Sequence, residues 1–117
     1  MGVEVAVLSQ RAIDYGPAFR NLDEALDRFK PDYAVIANAT HLHHPTLAAL
    51  AGRGFQGLVL VEKPLFEGLR EMPHHSFKTL LVAYNLRFHA LLKKVQQFVS
   101  GENVLHADAY VGKYLPE

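Results

Sequence analysis

Cysteine is absent from the 117 residues, and with it go a disulfide framework, a thiolate metal site and a cysteine nucleophile. Net charge is absent as well, since 12 Lys and Arg stand against 12 Asp and Glu. That balance argues against nucleic acid or a polybasic membrane contact, both of which ask for a clustered cationic face. No long apolar run exists. The longest stretch free of Lys, Arg, Asp and Glu, Tyr33 to Gly52, carries Asn38, Thr40, three histidines and Pro45, so it is no membrane span. Met1-Gly2-Val3-Glu4 lacks the basic start of a targeting segment. Neither an internal repeat nor a low-complexity tract occurs. What is present is 50% hydrophobic residues, enough to exclude disorder, in a length that suits one domain. A soluble, cytoplasmic protein with no nucleic-acid or membrane partner is the expectation.

Four short runs are apolar throughout: Val3 to Leu8 (interrupted by Glu4), Tyr33 to Ala37, Leu58 to Val61 and Leu80 to Tyr84. Continuous rather than alternating runs suit strands of a parallel sheet covered on both faces. Helical signals lie between them. Asn21 with Glu24 three residues on makes a capping box, and Leu22, Ala25, Leu26 and Phe29 keep the spacing of one buried face. Pro31 ends that helix by excluding Lys30 from the α region. Pro45 suits the first turn of a second helix bearing Leu47, Leu50 and Ala51, closed by Gly52 and Gly54. Glu67 to Phe77, broken by Pro73, is expected to form one or two helical turns. The order β-α-β-α-β-(short α)-β predicts an α/β fold.

Beyond Tyr84 the pattern changes. Phe88, Leu91, Leu92, Val95, Phe98 and Val99 form a helical stripe opposed by Lys93, Lys94, Gln96 and Gln97, and Ser100-Gly101 supplies its stop. The stripe reads as packing at a domain interface. Val104 to Val111 then alternates with period 2, as a half-buried strand of a different sheet does. A domain boundary is expected near Asn85 to Phe88.

Ligands of open α/β sheets bind beyond the carboxyl ends of the strands. Here those ends read Ser9-Gln10-Arg11, Asn38-Ala39-Thr40-His41-Leu42-His43-His44, Glu62-Lys63-Pro64 and Tyr84-Asn85-Leu86-Arg87. The sharpest is Glu62-Lys63-Pro64, directly after Leu58-Val59-Leu60-Val61. Pro64 holds Lys63 out of the α region, so that its amine projects and can bond a substrate hydroxyl during proton transfer. Against this stand a plain surface turn and, for His41-Leu42-His43-His44 and His74-His75, imidazole ligation of a transition metal. No carboxylate lies close in sequence to the first cluster, and adjacent histidines at a helix start point apart, so no metal site is expected.

Tyr33 to Thr40, Leu42-His43 and Leu60-Val61-Glu62-Lys63-Pro64-Leu65 resemble the Gfo/Idh/MocA family of NAD(P)-dependent oxidoreductases, which act on sugars, polyols and related hydroxy compounds. Tyr84 to His89 and Val111 to Pro116 resemble that family's run into its second domain, particularly in members linked to surface-polysaccharide and nucleotide-sugar pathways. The resemblance implies an incomplete Rossmann-type parallel sheet over residues 1–86, followed over 87–117 by the first helix and strand of an α+β substrate domain. It implies Lys63 as the catalytic lysine, near nicotinamide and the substrate hydroxyl. It further implies Arg11, Asn38, Thr40, His43, Glu62, Lys63 and Pro64 around the NAD or NADP cofactor, and Asn85 and Arg87 at the substrate cleft. Arg11, where an acidic residue would favour NAD, leans towards the 2′-phosphate of NADP.

Two departures accompany the match. The family opens on a strand and a Gly-x-Gly-x-x-Gly turn that holds the pyrophosphate; we read no such run here, and the sequence opens at what resembles the second strand. The family's catalytic Asp and His, on a helix of the substrate domain, find no counterpart before Glu117. The expectation is a truncated member, inactive as a separate chain, acting on a sugar-like substrate and forming a homo-oligomer. The absent strand would lie between Val3–Leu8 and Tyr33–Ala37, leaving two open inner edges. The alternative is a non-catalytic assembly module that oligomerises through those edges.

Overall fold

Three apolar runs align in parallel to form the main sheet. In the computed structural model, which describes residues 2–108, β3 (Tyr33–Ile36), β4 (Leu58–Val61) and β5 (Thr79–Val82) lie in that order, with β4 central. Their register sets Tyr33, Leu58 and Thr79 side by side and Ile36, Val61 and Val82 likewise. Two more parallel strands, β1 (Val7–Leu8) and β2 (Ala18–Phe19), make a separate pair. The parallel α/β architecture is the expected one. The second strand of the small pair is not, because two residues carry no readable periodicity.

Alternation decides which face of the main sheet is covered. Ile36, Val59 and Val61 are buried with Leu47 and Leu50 of α2 (His43–Gly52) and with Phe77, and this cluster is the core. Leu22 and Leu26 of α1 (Leu22–Phe29) pack against it. Residues one step along the strands face the other way: Val35 stays 58% exposed and Leu81 50%, against 4% for Ile36. The expected covering on both faces is therefore corrected to one, since all the buried apolar residues of α2 serve a single side of the sheet.

The helix ends follow their local chemistry. Asn21 Oδ1 accepts from the N–H groups of Asp23 and Glu24. Glu24 does not complete the reciprocal half of the box; its carboxylate takes the guanidinium of Arg28 one turn on. Lys30 leaves the α region as expected, but into the left-handed one (φ 52°). A Schellman arrangement closes α2: Gly54 at φ +66° donates to Ala51 O, and Phe55 N–H to Leu50 O. Arg53 bonds both Asp23 and Asp27 across the two helices, an exposed pairing worth little by itself.

Between β4 and β5 the expected helical turns do not form. Glu67 to Phe77 holds no helix: Glu67 to Met72 are all exposed, with no apolar face for a helix to bury, and the segment is held at its ends, by Leu65 and Phe66 before it and by Phe77. His75 stacks on Phe77 at a centroid distance of 4.4 Å, and its Nδ1 accepts the Phe77 N–H. Such side-chain plugs hold a long connection without secondary structure of its own.

The chain divides between Tyr84 and Asn85 into two units. The second begins with a 3-10 turn, Asn85–Phe88, followed by α3 (Ala90–Val99), whose first turn is capped by the His89 ring accepting the Leu91 N–H. The apolar stripe is present, yet none of α3 is buried and Phe98 is 86% exposed. Packing was the expectation for that stripe; among the described residues of this unit no other helix and no strand forms to cover it. Residues 104–108 show no strand either, and 109–111, the rest of the expected one, lie outside the described residues.

Two substitutions weigh these elements. Leu47→Ala, at a fully buried site, is expected to cost roughly 2–5 kcal/mol in urea unfolding followed by circular dichroism. Asn21→Ala removes an exposed cap and is expected to cost about 1 kcal/mol.

Candidate functional site

The parallel pairing brings the carboxyl ends of β3 and β4 side by side. The ladder continues one step past β4, where Glu62 N–H donates to Ile36 O at 2.8 Å. Immediately beyond it the buried run gives way to three exposed residues, Glu62, Lys63 and Pro64. Glu62 curls forward so that its Oε2 accepts the Lys63 N–H at 3.1 Å, and the Lys63–Pro64 peptide is cis. The lysine amine therefore stands on an open rim at the end of the central strand.

Beside this turn, the loop after β3 is tied to the start of α2. Asn38 Nδ2 donates to Thr46 Oγ1 at 2.9 Å. Thr40 opens a 3-10 turn, Thr40–Leu42, and its carbonyl accepts the His43 N–H. His43 is 1% exposed, with Nε2 at 3.0 Å from Asn38 O and Nδ1 at 3.0 and 3.1 Å from Pro64 O and Leu65 O. Its ring thus joins the β3 loop to the Lys63 turn. Asn38, His43, Glu62, Lys63 and Pro64 form one connected group.

The other sequence candidates sit elsewhere. Arg11 is exposed beyond β1 of the two-stranded sheet, its N–H given to Ser9 Oγ. Asn85 and Arg87 belong to the 3-10 turn of the second unit. Thr46 and the Leu65 carbonyl are participants that sequence reasoning missed. Thr46, the sole hydroxyl in its helix, left a signal; a backbone carbonyl leaves none. Among the described residues no group of three or more His, Asp or Glu gathers as a metal site would require. His44, for its part, meets the edge of Phe66 at 5.3 Å.

A Gly-x-Gly-x-x-Gly spacing does exist, which corrects the sequence expectation: Gly52-Arg53-Gly54-Phe55-Gln56-Gly57. Its placement removes the phosphate-binding meaning. A dinucleotide turn follows a strand and opens a helix, whereas this run closes α2 and leads into β4. The N–H groups of Arg53, Gly54 and Phe55 are already given to helix carbonyls, at the negative end of the helix dipole. Gly57 is glycine for packing, since a Cβ there would meet the Asp32 carbonyl oxygen and the Phe55 ring. A groove of about 530 Å³ bounded by Asp32, Phe55, Gly57 and Lys78 also lies at this amino end of the sheet, opposite Lys63.

A parallel sheet crossed by a helix, with polar turns at its carboxyl ends, is part of a nucleotide-binding α/β unit. The Gfo/Idh/MocA model, described as an oxidoreductase family with an NAD-binding Rossmann fold, matches residues 6–79, and the chain belongs to that family. No curated protein and no solved structure matches it. No helix among the described residues is long and apolar enough to cross a membrane. Asn38, Glu62 and Lys63 are exposed polar side chains beyond the β3 and β4 ends, where open α/β sheets hold their ligands. For the pyrophosphate, the described residues offer no glycine turn that opens a helix.

The glycine assignments separate experimentally. Gly54→Ala is expected to lose roughly 1–2 kcal/mol through its left-handed backbone. Gly57→Ala is expected to lose more, because the Asp32 backbone must move. Equal and negligible losses in both would remove the packing account.

Proposed function

We propose that this chain carries the substrate-side half of an NAD(P)-dependent oxidoreductase site acting on a sugar, polyol or nucleotide-sugar derivative, with Lys63 as the catalytic lysine. The observation that supports it is the exposed Glu62-Lys63-Pro64 turn at the end of the central parallel strand, inside the family-matched span. The cofactor, when bound, accepts or returns a hydride at its nicotinamide. The chain's own part is done by the Lys63 amine, which donates to the substrate oxygen and holds it while the hydroxyl proton is exchanged. Glu62 fixes the turn by accepting the Lys63 N–H. Asn38 and Thr40 line the cofactor side, and Arg11 leans the choice towards NADP.

As a separate polypeptide the 117 residues are expected to show no measurable NAD(P)-dependent turnover of sugars, because a pyrophosphate cradle and the family's Asp and His are not among them. Binding is the direct test. NADH or NADPH titrated into the 15N-labelled chain is expected to shift the amides of Asn38, Glu62 and Lys63, with Lys63→Met weakening the response. A spectrum unchanged at millimolar nucleotide sinks the proposal.

A second reading, a non-catalytic assembly module in a cytoplasmic homo-oligomer, is favoured by one observation: β1 and β3 each pair with a single strand, in two separate sheets. Open parallel edges invite another strand. Light scattering that finds a tight dimer without nucleotide affinity supports this reading, and a well-behaved monomer counts against it.

A further inference from the structure

We propose that His43 is a positioning residue, a doubly protonated imidazole that locks the Lys63 turn to the β3 loop through three backbone carbonyls. The hydrogen-bond inventory carries the inference. Both ring nitrogens sit 3.0–3.1 Å from carbonyl oxygens, of Asn38 on one side and of Pro64 and Leu65 on the other. A carbonyl can only accept, and a neutral imidazole has a single N–H. Either neutral tautomer therefore sets a bare nitrogen lone pair against an oxygen in a site that is 1% exposed. Only the ring with both protons gives every contact a donor, and charge-assisted donors make the stronger bonds.

The three carbonyls belong to the two segments that carry the site. Asn38 lies two residues beyond β3, and Pro64 and Leu65 complete the turn that presents Lys63. The ring is buried and both of its nitrogens are engaged, so His43 acts through the backbone and not by touching cofactor or substrate. The titratable neighbours along these segments are His41 and His44 on the helix side and Glu62 and Lys63 on the turn; Glu62 and Lys63 are both exposed. What the clamp serves rests on the oxidoreductase reading; the clamp itself does not.

Nitrogen NMR of the full chain at neutral pH decides the protonation. The expected result is one histidine with both ring nitrogens in the protonated range and slowly exchanging N–H protons. A single bare nitrogen in that ring overturns the proposal. Variants then separate the two arms. His43→Asn places an amide N–H near the Nδ1 position and is expected to keep the Leu65 and Phe66 amides protected while loosening Asn38. His43→Gln is expected to do the reverse. His43→Phe fills the space with no donor, and exchange on both sides is expected to rise about tenfold, as for one lost hydrogen bond to a charged group. Full protection in His43→Phe would show that the ring merely fills volume. If NADH leaves the wild-type spectrum untouched, the oxidoreductase reading falls while the ring signature still decides the clamp.

Discussion

Parallel strands cannot be joined by a tight turn; the chain must cross over and return to the same end of the sheet. Between β3 and β4 that crossing is α2, and the fit of α2 against the two strands is the constraint on which the candidate site depends. Leu47 and Val61 are both fully buried and Leu50 and Val59 nearly so, so the helix cannot slide or roll without opening a cavity in a densely packed core. With α2 fixed in this way, its first turn is fixed too. That turn carries His43 and Thr46, the two side chains that hold the loop after β3. Apolar packing at one end of the helix thereby sets polar geometry at the other.

The turn after β4 takes its place from the same source. It has no secondary structure and its three residues Glu62, Lys63 and Pro64 are exposed. Left to itself, such a segment would sample many conformations, and a lysine at its tip would have no defined target. Two kinds of contact remove that freedom. Leu65 and Phe66 pack against the core just downstream, and the His43 ring meets the carbonyls of Pro64 and Leu65. An amine on a long flexible stem thus stands on a base that is itself held.

How much of this was legible in the sequence depended on the range of the interaction involved. Asn21, Pro31, Pro45 and Gly54 act within a turn of their own position, and each marks its helix boundary as residue chemistry says it should. The runs 33–37 and 58–61 were legible because strands of a parallel sheet read as unbroken apolar runs, although only one face of them is covered here and Val35 stays 58% exposed. The exposed turn after β4 was legible because a charged pair and a proline straight after such a run end a buried strand. Where the outcome depended on distant partners, local signals failed. Two-residue β2 is a strand only because Val7 and Leu8 lie beside it. Residues 67–77 form no helix, and what holds them is the packing of Phe77 on the core and of His75 on Phe77 at their far end. His43 could be placed at a helix start, but the three carbonyls around it carry no side-chain label at all.

The glycine run at residues 52–57 shows why placement outranks pattern. Its spacing matches a dinucleotide fingerprint residue for residue, yet the spacing acquires that meaning only where backbone N–H groups are left free at the positive end of a helix. Here the order is inverted. The helix comes first, its terminal carbonyls consume the N–H groups, and the run stands at the amino end of the strands, away from Lys63. The phosphate-binding chemistry of the family therefore finds no substitute in this run, while the lysine turn keeps both its position and its support. The glycine run and the lysine turn are independent in structure, since the first closes α2 at the amino end of the strands and the second follows β4 at the carboxyl end.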